Sequence, residues 1–132
     1  MIPLNADLNK DLAKFSKKTY RIDRSGDLPL EFEGWQIASG ECGDAHDPKD
    51  WDRFTIVDLY ITTTRKFVAT VSKGSREGRT LTFEHHDENI DTVLEWFRET
   101  NHGRLGPATR LMLNEADRAG IAWLRTATVE RI

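Results

Sequence analysis

The chain predicts an α+β fold, in which an antiparallel meander of about four strands is packed by helices. Three observations carry this expectation. Strand-like alternation recurs over Phe54–Ile61, Phe67–Ser72 and Leu81–Glu84, with polar connections between the runs. Ile90, Val93, Leu94 and Phe97 then recur at helical spacing. A second helical stripe follows Pro107.

In chain order, Leu8, Leu12 and Phe15 predict a short N-terminal helix capped by Asn5 or Asp7, which would cover one face of the sheet. Pro29–Ser39 holds the next strand signal. There Leu30 and Phe32 fall on one phase, Trp35 and Ile37 on the other, and the change at Gly34 predicts a β-bulge or a break. Ser39–Asp52 shows no periodicity and reads as a long loop, a length that is often functional. In FTIVDLYI, Phe54, Ile56 and Tyr60 face one way and Val57, Leu59 and Ile61 the other, so this strand needs cover on both sides. Thr62–Lys66 and Gly74–Gly78 are turns. Asp87 or Asn89 caps the first long helix, Glu88 and Asp91 favour its positive end, and Gly103 stops it. Pro107 opens a second helix that carries Ala108, Leu111, Met112, Glu115, Ala116 and Ala119 and ends at Gly120. Ile121 and Trp123 should pack back, and Thr126–Ile132 reads as an edge strand or tail. The predicted order is α-β-β-β-β-α-α-β in one domain. Residues 1–24 form the helix and a basic segment, 29–86 the meander, 87–120 the two helices and 121–132 the tail.

Net charge is −3, but its distribution is uneven. Residues 25–52 carry Lys49 against eight acids, and residues 87–101 carry Arg98 against five. Such surfaces repel nucleic acid and suit a basic protein partner. A single cysteine, Cys42, excludes an internal disulfide and points to a reducing compartment. Lys10, Lys14, Lys17 and Lys18 interrupt the N-terminal region, so neither a signal peptide nor a membrane span is expected. A cytoplasmic protein is the working expectation.

No catalytic motif and no cofactor-binding signature is visible. Gly74 and Gly78 lie between strands and lack the helix start that a phosphate loop needs. The spacing of Asp44, Asp47, Asp50 and Asp52 does not match an EF-hand. Cys42, His46 and His85 offer a thiolate and two imidazoles, the donor set of a zinc site and hence of a metal-dependent hydrolase. Lys10, Lys14, Lys17 and Lys18 would align along the first helix and, with Arg21, supply phosphate contacts for a nucleic-acid-binding regulator. The isoelectric point near 5.8 weighs against that role. Trp35 and Trp51, with Glu41, Asp44, Asp47, Asp50 and Asp52, form the expected acidic and aromatic protein-binding set.

The stretch WDRFTIVDLYITTTRKFVATV (residues 51–71), followed by DENIDTVLEWFRETNHGRLGPATRLMLNEADRAGI (residues 87–121), resembles a group of small bacterial proteins often found on plasmids and other mobile elements. The shared features are a strand ending Leu59-Tyr60-Ile61-Thr62, a return strand opening Lys66-Phe67-Val68, an acidic helix, and a closing Ala119-Gly120-Ile121. The chain is also similar to the EXLDI proteins, although it lacks the motif that names them. The resemblance implies an accessory gene of a mobile element and carries no catalytic residue. The expected function is a non-enzymatic protein-binding module that engages a protein partner or a second copy of itself. It would be an inhibitor or accessory factor acting on a host defence complex, of the anti-CRISPR or anti-restriction type.

Overall fold

Alternation of apolar and polar residues begins earlier than Pro29. In Lys18–Ile22, Tyr20 and Ile22 alternate with Thr19 and Arg21, and this segment is the first strand of the sheet. The computed structural model describes residues 10–121. Strands β1 (Lys18–Ile22), β2 (Leu30–Gly43), β3 (Arg53–Thr62), β4 (Phe67–Ser75) and β5 (Leu81–Asp87) form one antiparallel sheet in sequence order. Helices α1 (Ile90–Glu99) and α2 (Pro107–Arg118) follow, and a 3-10 turn at Pro48–Asp50 lies between β2 and β3. A short N-terminal helix is present up to residue 12. Asn5, Asp7, Leu8, Trp123 and the edge strand expected at Thr126–Ile132 lie outside the described residues. No helix among the described residues is long and apolar enough to cross a membrane.

The helices cover one face. Val57, Leu59 and Ile61 of β3 and Phe67, Ala69 and Val71 of β4 are buried with Val93, Leu94 and Phe97 of α1 and with Met112 and Ala116 of α2. Asn89 caps α1 by accepting from the Asp91 amide at 2.8 Å, and Asp87 in turn accepts from the Asn89 amide at 2.7 Å. Beyond α1, Gly103 takes a φ of 84° and returns its amide to the Arg98 carbonyl at 2.8 Å, the left-handed stop that favours glycine. Leu111, expected on the buried stripe of α2, is 45% exposed, because Ala108, Thr109, Met112 and Ala116 fill the face against the sheet.

Contrary to the expectation from sequence, the described part of the N-terminal segment does not cover the second face. Leu12 and Phe15 join the same core as α1 and α2. The sheet closes its second face by curling. Tyr20, Phe32 and Tyr60 meet in one aromatic cluster, with ring centroids 4.9 to 5.5 Å apart, beside Ile22, Leu30 and Val68. The β1–β2 connection then reaches β5. Ser25 donates its amide to the Thr82 carbonyl at 2.8 Å, and the Thr82 amide donates to Ser25 Oγ at 2.9 Å. Arg24 pairs with Glu84 at 3.1 Å.

The bulge in β2 lies three residues beyond the predicted position. The β2–β3 register shifts between Gln36 and Ala38, not at Gly34. Ile37 and Ala38 consequently both turn into the helix-side core, and the Ser39 amide donates to Glu115 Oε2 of α2 at 3.0 Å. β2 continues through Gly43, so Ser39–Gly43 is strand where a loop was expected. At Gly40, α2 lies directly on the strand, and a methyl group there would overlap the backbone of Ala108 and Met112. A Gly40→Ala variant should therefore lose about 1–3 kcal/mol of stability, read as a lower urea midpoint by tryptophan fluorescence. An unchanged midpoint would show that α2 does not sit on β2 at this height.

Candidate protein-binding surface

Beside α1 the sheet leaves apolar side chains uncovered. Leu81, Phe83 and His85 alternate along the helix-side face of β5, and Leu81 and Phe83 are 41% and 43% exposed. The chain reverses at Asn89, so α1 runs back along β5, and Lys73, paired with Leu81 in the sheet, reaches the Thr100 carbonyl at the far end of the helix. Asp91, Glu95 and Glu99 follow one another at four-residue intervals on α1, about 6 Å apart along its axis. The result is a groove of about 440 Å³, bordered by His85, Trp96 and these three carboxylates.

Packing holds the floor of this groove. Trp96 stacks on His85 with ring centroids 5.7 Å apart and planes 17° apart, and it leans on Phe97 of the core at 5.3 Å. His85 Nε2 is buried and has no hydrogen-bond partner among the described residues. Glu95 is 3.4 Å from Arg98, and neither Asp91 nor Glu99 has a cation within 4.0 Å among the described residues. The surface thus combines an apolar strand with a largely unneutralised row of negative charge.

The structure separates the residues expected to form one acidic and aromatic patch. Trp35 stands eight positions before Gly43 on β2, roughly 25 Å from the acidic loop. It packs on the helix-side core beneath the Arg65 guanidinium, 5.6 Å from the ring centre. Trp51 lies against Gly43 and donates Nε1–H to the Ala45 carbonyl at 2.7 Å. Asp44 is committed to the same turn. It accepts from the amides of Asp52 and Arg53 at 3.0 and 3.1 Å, and the Asp52 bond leads in holding its carboxyl below the usual range. Asp47 caps the 3-10 turn through the Lys49 amide. Glu41, Asp50 and Asp52 are exposed.

The other two candidate sets are not brought together either. Cys42 on β2 and His85 on β5 are three strands apart, about 14 Å across the sheet, while His46 lies in the β2–β3 loop. The described residues contain no group of three or more metal-ligating side chains. The basic helical face is broken because the helix stops before Lys14. Lys14 Nζ engages Asp11 at 3.8 Å and the Ala119 carbonyl at 3.1 Å, and Lys17 lies 4.0 Å from Glu33. Lys18 and Arg21 fall on opposite faces of β1, and Lys10 alone remains on the helix.

No known family profile, curated protein or solved structure matches this chain.

On the concave face, burial pushes the Asp58 carboxyl above its usual range, against the lowering effect of bonds from Ser39 and from Gln36 Nε2 at 2.8 Å. A carboxyl raised by folding contributes stability below its unfolded pKa and loses it as pH rises through the folded value. Asp58→Asn should therefore raise the thermal midpoint near pH 7, and the gain should disappear by about pH 4. A gain that is equal at both pH values would show that the Asp58 charge is not the cause.

Proposed function

We propose that this chain is a non-enzymatic protein-binding module that docks a basic, partly apolar segment of a partner protein between β5 and α1. The observation that supports this most is the row Asp91, Glu95 and Glu99 bordering one groove with Trp96 and His85, while Leu81 and Phe83 stand exposed on the same face of β5 as His85. An exposed apolar strand on the face that also carries a row of like charges marks an interaction surface, and a partner carrying alternating basic and apolar side chains complements both. A symmetric dimer through the same groove would set the three carboxylates against their own copies, so a different protein suits it better. The resemblance over residues 51–121 supports a setting on mobile elements. In that setting the partner would be a host defence complex of the CRISPR or restriction type, whose nucleic-acid-handling surfaces are basic.

The test is affinity capture from a bacterial host lysate, followed by titration of the recovered partner. Wild-type protein should retain a partner whose binding weakens with salt. Glu95→Lys with Glu99→Lys, and separately Phe83→Ser, should each weaken binding by about tenfold or more while circular dichroism stays unchanged. Equal affinity in both variants would remove this groove from the interface.

A further inference from the structure

The concave face carries a second site, independent of the groove beside α1. Glu84 of β5 points into the curl with its side chain 2% exposed. Arg24 Nη1 binds its Oε1 at 3.1 Å, and His86 Nδ1 lies 2.7 Å from its Oε2. Arg24 is fixed in turn, donating Nε–H to the Leu28 carbonyl at 2.7 Å. A buried carboxylate gripped on one oxygen by a guanidinium and presenting the other to an imidazole orients that ring. It fixes the plane of the ring and turns Nε2 away from Glu84.

The His86 side chain is 44% exposed and lines a cleft of about 330 Å³ at the β3–β4 end of the concave face. That volume lies within the range of small-molecule sites. Leu30, Phe32 and Val68 form its apolar wall, and the Thr62–Lys66 turn its rim. This turn is built rather than loose. Thr62 Oγ1 accepts the Lys66 amide at 3.0 Å and bonds Thr64 Oγ1 at 2.9 Å.

The charges that face the cleft have one sign. Glu31 and Glu33 border it, but they alternate with Leu30 and Phe32 and so fall on the opposite face of β2, where Glu33 lies 4.0 Å from Lys17 and Glu31 stands across the ladder from Arg21. Arg24 is neutralised by Glu84. Lys66, in the rim, has no ion-pair partner among the described residues, and Lys18 stands on the same face opposite Gly34.

We propose that this cleft binds a small amphipathic carboxylate, with its aliphatic or aromatic body against Phe32 and Val68 and its acid group between His86 Nε2 and Lys66 Nζ. A chain of about ten carbons suits the volume. His86 and Lys66 are the specificity groups, while Glu84 and Arg24 position the imidazole.

The experiment is titration of the full chain with sodium decanoate, followed by NMR of the His86 ring and the Val68 methyls and by calorimetry. Decanoate should bind saturably and shift both sets of resonances. Decanol, with the same body and no charge, should bind at least about tenfold more weakly. His86→Gln and Lys66→Met, both at exposed positions, should each weaken decanoate binding by about tenfold with unchanged thermal midpoints. No shift at millimolar decanoate, equal affinity for decanol, or wild-type affinity in both variants would each overturn the assignment.

Discussion

A central strand that is apolar on both sides has to be covered twice, and the described helices of this chain cover only one side. β3 sends Val57, Leu59 and Ile61 toward α1 and α2, and Ile56 and Tyr60 the other way. The second cover is the sheet itself. Right-handed twist supplies part of the curl, and the bulge at Ile37 supplies a local bend in β2. The curl is fastened where Ser25 exchanges two hydrogen bonds with Thr82 and Arg24 pairs with Glu84. An ion pair of this kind, with Glu84 almost fully enclosed, contributes more to where the chain closes than to net stability, since desolvation offsets much of its attraction.

Both surfaces with ligand character follow from that closure. The β1–β2 connection occupies the β5 edge at Thr82, which shields part of an edge that would otherwise pair with other chains. On the helix side, α1 is too short and too polar on its outer face to cover β5 fully, so Leu81 and Phe83 stay in water. On the concave side the curl fills the middle of the face with Tyr20, Phe32 and Tyr60 but leaves a mouth at the β3–β4 turn.

Much of the fold was legible because its signals are local. The cap at Asn89, the stripe Ile90, Val93, Leu94 and Phe97, and Pro107 at the start of α2 all act within a few residues. What escaped was non-local. Lys17 and Lys18 make the β1 region look like a continuation of a basic helix, and only its pairing with Leu30–Gly34 reveals a strand. The bulge could not be positioned from Gly34, because Gly34 is required there by the close approach of β3 at Ile61 and Thr62, not by a change of phase. Of the candidate surface, the acidic character of residues 87–101 was visible, but the sequence joined Trp35 and Trp51 to the acidic loop in one patch that the fold does not bring together. Trp35 and Trp51 carry the usual signature of an interface anchor, yet one is packed on the core and the other pins a turn. The Arg24–Glu84–His86 cluster spans about sixty residues of chain and left no trace in spacing.

The most direct test of the closure is amide hydrogen exchange at Thr82, whose N–H faces away from β4. If Ser25 fastens the curl, this amide exchanges orders of magnitude more slowly than an open edge position, and a Ser25→Ala substitution removes that protection while the β3–β4 amides keep theirs. Rapid exchange at Thr82 in the wild-type chain, with β3 and β4 fully protected, would mean that the sheet is not closed at this point.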